Sequence, residues 1–135
     1  MNRALATATM IATGAALLAV TSASAALPKK GGLYEWKRDP TATSQSLVSW
    51  IKLQVRKDGK SAKVIWSCNN APPPATIAFK LKPDGSFKAA SNPSGNLLLW
   101  YVQGRFISKT EAKIYLSLNT VCAGKGIHVV LKLRS

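Results

Sequence analysis

Residues 49–68, with the sequence SWIKLQVRKDGKSAKVIWSC, decide the fold class of this chain. In the first eight residues Ile51, Leu53 and Val55 alternate with polar or outward-facing residues, and the last eight residues alternate again and end on Cys68. A period of two is typical of a half-buried strand. The Asp-Gly pair between the two segments suits a hairpin turn, because glycine takes the positive φ that such a turn requires. The stretch therefore predicts an antiparallel hairpin whose second strand directs the cysteine toward the core.

The rest of the chain repeats this pattern in short segments separated by glycine, proline and polar residues. Further strands are expected at 33–37, 76–81, 87–90, 97–107, 111–118 and 127–134. Gly104 lies inside the most apolar segment and indicates a bulge or bend there. About eight short strands, with turn signals roughly every 8–12 residues and no helical periodicity, predict an all-β fold, either an antiparallel β-sandwich or a flattened barrel.

The first 25 residues have the pattern of an export signal. Arg3 gives the positive start, residues 10–20 are apolar, and Ala23-Ser24-Ala25 is a small-residue cleavage site. The apolar part is shorter than the about 20 residues that a spanning helix needs. We therefore expect a signal peptide at 1–25 and a single secreted β-domain at 26–135. It would lie outside the cell or in the cell envelope, with no transmembrane segment after signal removal and with residues 26–32 as a flexible lead-in.

The chain is strongly basic, with 19 lysine and arginine residues against 5 acidic ones and a net charge of +14. Removal of residues 1–25 takes away only one charge, that of Arg3, and the remaining cations are spread along the domain. Such a charge draws a protein toward polyanions, and outside a cell these include acidic wall polymers, anionic lipid, acidic polysaccharide and nucleic acid. The alternative is that the charge serves solubility alone, and the sequence leaves both interpretations open.

Two cysteines, Cys68 and Cys122, remain in the predicted domain. An even number in an exported chain favours one disulfide. It would close a loop of roughly 54 residues, for which loop-closure entropy gives about 4 kcal/mol. Thiols used in redox or metal chemistry are the alternative, but the sequence has neither a C-x-x-C spacing nor a pair of histidines.

Few residues in the sequence could support catalysis. His128 is the only histidine, and a single imidazole makes neither a metal site nor a catalytic triad unaided. The turns account for Asp58 and Asp84. A hydrolase would have to bring Glu35 or Asp39 close to His128. We therefore predict no enzymatic activity, no metal site and no cofactor.

Basic and aromatic residues share the predicted outward faces of the strands. Such a mixture is suited to polyanions, stacked bases or sugars, although lysine on a solvated face also protects edge strands from pairing. The candidate binding residues are Trp50, Lys52, Arg56, Lys63, Lys80, Lys82, Lys113, Tyr115, Lys132 and Arg134.

The sequence accordingly predicts a non-enzymatic secreted domain that associates with an acidic polymer or anionic cell surface through its basic face. A protein-interaction module, such as an inhibitor or a small toxin, is the alternative. Its contact would be the loop 69–75, which is stiffened by three consecutive prolines at 72–74.

Short motifs occur in a fixed order along almost the whole predicted domain. They are Gly32-x-Tyr34, Lys57-Asp58-Gly59-Lys60, Cys68, Asp84-Gly85-Ser86-Phe87, Gly104-Arg105-Phe106 and Cys122-x-Gly124. In this order they resemble a loose group of small secreted bacterial β-proteins, most of which have no assigned function. Lys113 stands where that group often has a glycine. The resemblance implies export, a single disulfide and an all-β fold, and it implies no activity.

Overall fold

The computed structural model of the chain describes residues 26–41, 47–69, 74–90, 100–117 and 126–135. These residues form eight antiparallel strands and no helix. The strands are β1 (Leu33–Lys37), β2 (Val48–Val55), β3 (Ser61–Cys68), β4 (Ala75–Lys80), β5 (Ser86–Ala90), β6 (Tyr101–Phe106), β7 (Glu111–Ser117) and β8 (Ile127–Leu133). The all-β prediction is confirmed. Within the described residues no helix has the length and apolar character needed to cross a bilayer.

The strands lie in one sheet in the order β4-β3-β2-β1-β8-β7-β6-β5, so nearly every strand pairs with its neighbours in the chain. The pairing of β1 with β8, for example Tyr34 opposite Leu133, joins the two ends of the sequence. β4 and β5 form the two edges and contact each other. The rings of Phe79 and Phe87 stack across this seam with their centroids 4.7 Å apart. Of the two predicted architectures, the structure is therefore the nearly closed barrel.

The hairpin predicted from residues 49–68 is formed by β2 and β3. Leu53 lies opposite Val64, and both side chains are fully buried. Gly59 has the expected positive φ of 70°. Burying each such aliphatic side chain contributes about 1.5–3 kcal/mol. The inward faces predicted for the other strands are also confirmed, since the core contains Phe79, Ala112, Ile114, Leu116 and Leu131.

Gly104 does not mark a bulge. The register of β6 runs through it without a shift on both sides, opposite Phe87 and Ile114. The irregularity is instead in β2, between Val48 and Trp50. A side chain at position 104 would collide with the backbone carbonyl of Lys113 and approach the Phe87 ring to 2.7 Å. The glycine is therefore needed for close packing.

Residues 26–32 are not a flexible lead-in. The amide of Gly31 donates to the carbonyl of Arg56, and the amide of Lys29 donates to the Tyr34 hydroxyl at 2.9 Å. The Ala26 carbonyl lies where a side chain at Gly85 would project. These contacts hold the segment against the end of the barrel that carries the β2–β3, β4–β5 and β6–β7 turns.

Candidate functional site

The outer face of β5, β6, β7 and β8 contains an open groove with a volume of about 650 Å³. Directly paired residues on the four strands form its two walls and its floor. One wall consists of Ser86, Arg105, Lys113 and Val130, and the other of Lys88, Gln103, Tyr115 and His128. The floor is the backbone of Phe87, Gly104, Ile114 and Val129, and the side chains of Phe87, Ile114 and Val129 pack toward the core. Residues two apart along a strand share a face, so alternation places both walls on the outer side of the sheet. Strand pairing aligns the four residues within each wall.

The groove is strongly cationic. Its lining includes Lys82, Lys88, Arg105 and Lys113, and none of the described lining residues carries a carboxylate. One lining residue, Ser86, contacts a carboxylate from outside the groove: Asp84 accepts hydrogen bonds from the Ser86 amide and hydroxyl at 2.8 and 2.6 Å. These bonds, aided by the charge of Lys82, lower the pKa of Asp84. The carboxylate is therefore held as an anion at one end of a positively charged surface.

Aromatic rings occupy the other end of the groove. The Tyr115 ring lies 4.4 Å from the His128 imidazole, centroid to centroid, with their planes tilted by 33°. Tyr101 lies on the far side of Tyr115, at 6.4 Å. Three adjacent strands thus carry a row of rings on the outer face. Gly126 provides the space for the Tyr115 ring, because a Cβ there would lie 2.7 Å from the Tyr115 Cζ atom.

A second group of predicted residues meets on β1, on β2 and just after the end of β8. Glu35 lies between two cations, with its Oε1 atom 3.7 Å from Lys52 Nζ and 3.3 Å from Arg134 Nη1. The Lys52 ammonium also lies 5.1 Å from the centre of the Trp50 ring. Part of the positive charge on this side is therefore neutralised within the protein. Trp50 borders a smaller cavity of about 350 Å³, beside Lys37 and Pro40.

The structure places all ten predicted binding residues at least partly in solvent. It does not place them on one face. Lys82, Lys113 and Tyr115 line the groove. The other seven lie elsewhere on the barrel: Trp50, Lys52, Arg56, Lys63, Lys80, Lys132 and Arg134.

Five polar or charged residues of the groove were missed by the sequence prediction. Ser86, Lys88, Gln103 and Arg105 alternate outward on β5 and β6, and His128 does so on β8. The signal that would have found them is strand pairing, because Lys88 lies opposite Gln103 and Tyr115 lies opposite both Gln103 and His128. A list of exposed residues on separate strands carries no information on which of them are neighbours.

The carboxylates considered for hydrolysis lie away from the groove. Glu35 pairs with Lys132 of β8, four positions along that strand from His128. Asp39 follows β1, and its carboxylate accepts hydrogen bonds from the Thr41 amide and hydroxyl, which lower its pKa. Neither carboxylate lines the groove that contains His128. Within the described ranges, no three His, Cys, Asp or Glu side chains are grouped as a metal site.

Three predictions depend on residues outside the described part of the chain. The signal peptide predicted at 1–25 lies wholly outside it and stays a prediction. Cys68 ends β3 and packs against the core, but Cys122 is not among the described residues, so the disulfide stays a prediction. The proline loop is described only at Asn69, Pro74 and Ala75. The alternative function as a protein-interaction module therefore also stays a prediction.

No protein-family model matches the chain, and comparisons with curated proteins and with solved structures found no significant match.

Proposed function

We propose that the protein is a non-enzymatic secreted β-domain that binds acidic polymers or anionic surfaces through the basic groove across β5–β8. The observation that carries this proposal is the grouping of Lys82, Lys88, Arg105 and Lys113 around one concave surface whose described lining has no carboxylate. Export is the expectation from the signal-like residues 1–25.

The shape of the surface favours binding over simple solubilisation. Cations that serve only solubility can be dispersed or paired with a carboxylate, as Lys52 and Arg134 are with Glu35. In the groove the cations instead surround one cavity, where their fields add and attract polyanions. Three of the four are lysines, whose compact ammonium groups suit diffuse attraction to phosphate, sulfate or carboxylate more than bidentate recognition.

The proposal is tested with fluorescein-labelled heparin and the purified protein, by fluorescence anisotropy at about 50 mM and about 200 mM salt. We expect binding at the lower concentration and a steep loss at the higher one, because salt screens exposed charges. The double variant Arg105→Gln/Lys113→Gln should bind several-fold more weakly than the wild type. A charge-matched control, Lys57→Gln/Lys60→Gln, changes two exposed lysines of the β2–β3 turn and should bind almost as the wild type does.

Each other result contradicts the proposal in a different way. The absence of heparin binding at low salt would contradict the proposal that the protein binds polyanions. Binding that is insensitive to salt would contradict the electrostatic mechanism. An equal loss in the two double variants would show that total charge is responsible and that the groove is not the site.

A further inference from the structure

The groove combines cations and aromatic rings on the same four strands. Lys82, Lys88 and Arg105 lie on the β4–β5 turn, β5 and β6, Lys113 lies on β7, and the rings of Tyr115 and His128 lie on β7 and β8. Neighbouring strands are about 4.8 Å apart, so the four strands span about 14 Å. A ligand that fills the groove therefore meets positive charge and flat ring surfaces within a few ångströms of each other.

The hydrogen-bonding groups of the lining are mostly donors. Lysine and arginine can only donate. The Gln103 amide oxygen already accepts from the Tyr101 hydroxyl, which leaves the Gln103 NH2 group as a donor. The Ser86 hydroxyl is an exception, because its proton is already donated to Asp84. A matching ligand is rich in acceptor oxygens and needs few acceptors from the protein. Phosphate groups meet this requirement, whereas sugar hydroxyls also need acceptors for their own protons.

The rings continue beyond the cavity as a surface that could stack against planar groups. Tyr101, Tyr115 and His128 occupy neighbouring positions on β6, β7 and β8. Aromatic side chains on the face of a sheet, beside a positive groove, are the arrangement on which successive unpaired bases stack. Every base has a π-face, so stacking of this kind tolerates many sequences.

We propose that this groove binds single-stranded nucleic acid, with phosphates over Lys88, Arg105 and Lys113 and bases against Tyr115 and His128. The inference rests on the proposed polyanion binding and narrows it to one ligand class. The short span of the groove fits a few nucleotides, so a short single strand can be bound by the groove alone. A duplex binds more weakly, because its bases are stacked on each other and do not present their faces.

The test measures the affinity of the purified protein for fluorescein-labelled oligothymidine, for a duplex of the same length and for heparin. Tyr115→Leu and His128→Ser remove the rings singly, and the second variant changes an exposed residue that the core does not need. Trp50→Leu is the matched control, since it removes an outward ring beside a lysine on β2. Far-UV circular dichroism checks that each variant is folded.

We expect the single strand to bind more tightly than the duplex. Loss of the Tyr115 or His128 ring should weaken oligothymidine binding about tenfold, within the range measured for base–aromatic stacking, and should leave heparin binding nearly unchanged. The control variant Trp50→Leu should bind oligothymidine almost as tightly as the wild type does. Arg105→Gln should instead weaken the binding of all three ligands. It should also reduce by about one the slope of log affinity against log salt concentration.

The other outcomes separate the two proposals. If heparin and oligothymidine bind equally and neither ring matters, the nucleic-acid inference is overturned and polyanion binding remains. If loss of a ring weakens heparin more than oligothymidine, the ligand is an acidic polysaccharide and the inference is again overturned. If Trp50→Leu has the largest effect, the site lies on β2. If none of the ligands binds at low salt, both proposals fail.

Discussion

The hydroxyl of Tyr34 donates a hydrogen bond to the backbone carbonyl of Lys109, with an oxygen–oxygen distance of 2.5 Å across 75 positions of sequence. The same hydroxyl accepts from the amide of Lys29. Tyr34 itself is fully buried, and its ring packs edge-on against Phe106 at 5.1 Å. One side chain thus joins the N-terminal segment, β1 and the β6–β7 turn at one end of the barrel.

Replacement of Tyr34 by phenylalanine should destabilise the protein by about 1–3 kcal/mol. The ring and its packing would remain, but the Lys29 amide and Lys109 carbonyl would both lose a partner in a region of limited solvent access. The free energy of unfolding in urea measures the effect. Tyr101→Phe is the control, because the Tyr101 hydroxyl bonds to Gln103 on the surface, and it should change stability by less than about 0.5 kcal/mol. Equal effects of the two variants would contradict the role assigned to Tyr34.

The same residue should make stability depend on alkaline pH. Burial raises the pKa of the Tyr34 phenol above 10.0, although the hydrogen bond from Lys29 offsets part of this increase. The folded protein therefore holds the phenol proton more tightly than the unfolded chain. This stabilisation is complete below the unfolded pKa of about 10 and is lost as pH rises through the higher folded pKa.

Urea unfolding of the wild type and Tyr34→Phe between about pH 8 and pH 11 tests this prediction. The wild type should lose more stability than the variant above about pH 10, so the difference between them should narrow. Other titrating groups are shared by the two proteins and cancel in the comparison. Parallel curves would contradict the prediction.

Local sequence patterns were sufficient to predict the strands. The alternation of Ile51, Leu53 and Val55 against polar neighbours is a property of consecutive residues, and it correctly placed their side chains in the core. The same holds for Ala112, Ile114 and Leu116 of β7. Chain order also made most pairings predictable, because sequential strands of the barrel are neighbours.

Features that depend on distant contacts were not predictable in this way. The closure of the barrel depends on Tyr34 of β1 lying opposite Leu133 of β8. No short stretch of sequence therefore distinguishes a barrel from a sandwich. The groove is a similar case, because Lys88 and His128 come into one wall of it only when four strands lie side by side. The fixed position of residues 26–32 likewise depends on contacts with Arg56 and Gly85.

Gly104→Ala should destabilise the barrel by about 1–3 kcal/mol or more. Its new methyl group would collide with the Lys113 carbonyl, which is fixed in the β6–β7 ladder, and would press on the Phe87 ring. Overpacking of a dense core has costs of this size. Thermal and urea unfolding measure it, with the neighbouring exposed substitution Gln103→Ala as control. An unchanged melting temperature would contradict the close-packing explanation of this glycine.

The predicted Cys68–Cys122 disulfide should contribute about 4 kcal/mol to stability, because it would restrict a loop of roughly 54 residues in the unfolded chain. The double variant Cys68→Ser/Cys122→Ser should therefore melt at a lower temperature than the wild type. A reducing agent should lower the melting temperature of the wild type and leave that of the variant unchanged. Titration of thiols in the unfolded, unreduced wild type should find none, and two free thiols would contradict the bridge.

Gly126→Ala should weaken nucleic-acid binding without removing a charge or a ring. A methyl group at this position would overlap the Tyr115 hydroxyl and approach the ring carbon Cζ to 2.7 Å, so the ring must leave its present position beside His128. Gly126 is exposed and precedes β8, which limits the effect on folding. We expect a several-fold loss of affinity for oligothymidine with almost no change in melting temperature. In a Tyr115→Leu background the same substitution should have no further effect, and an equal loss in both backgrounds would show that Gly126 acts independently of the ring.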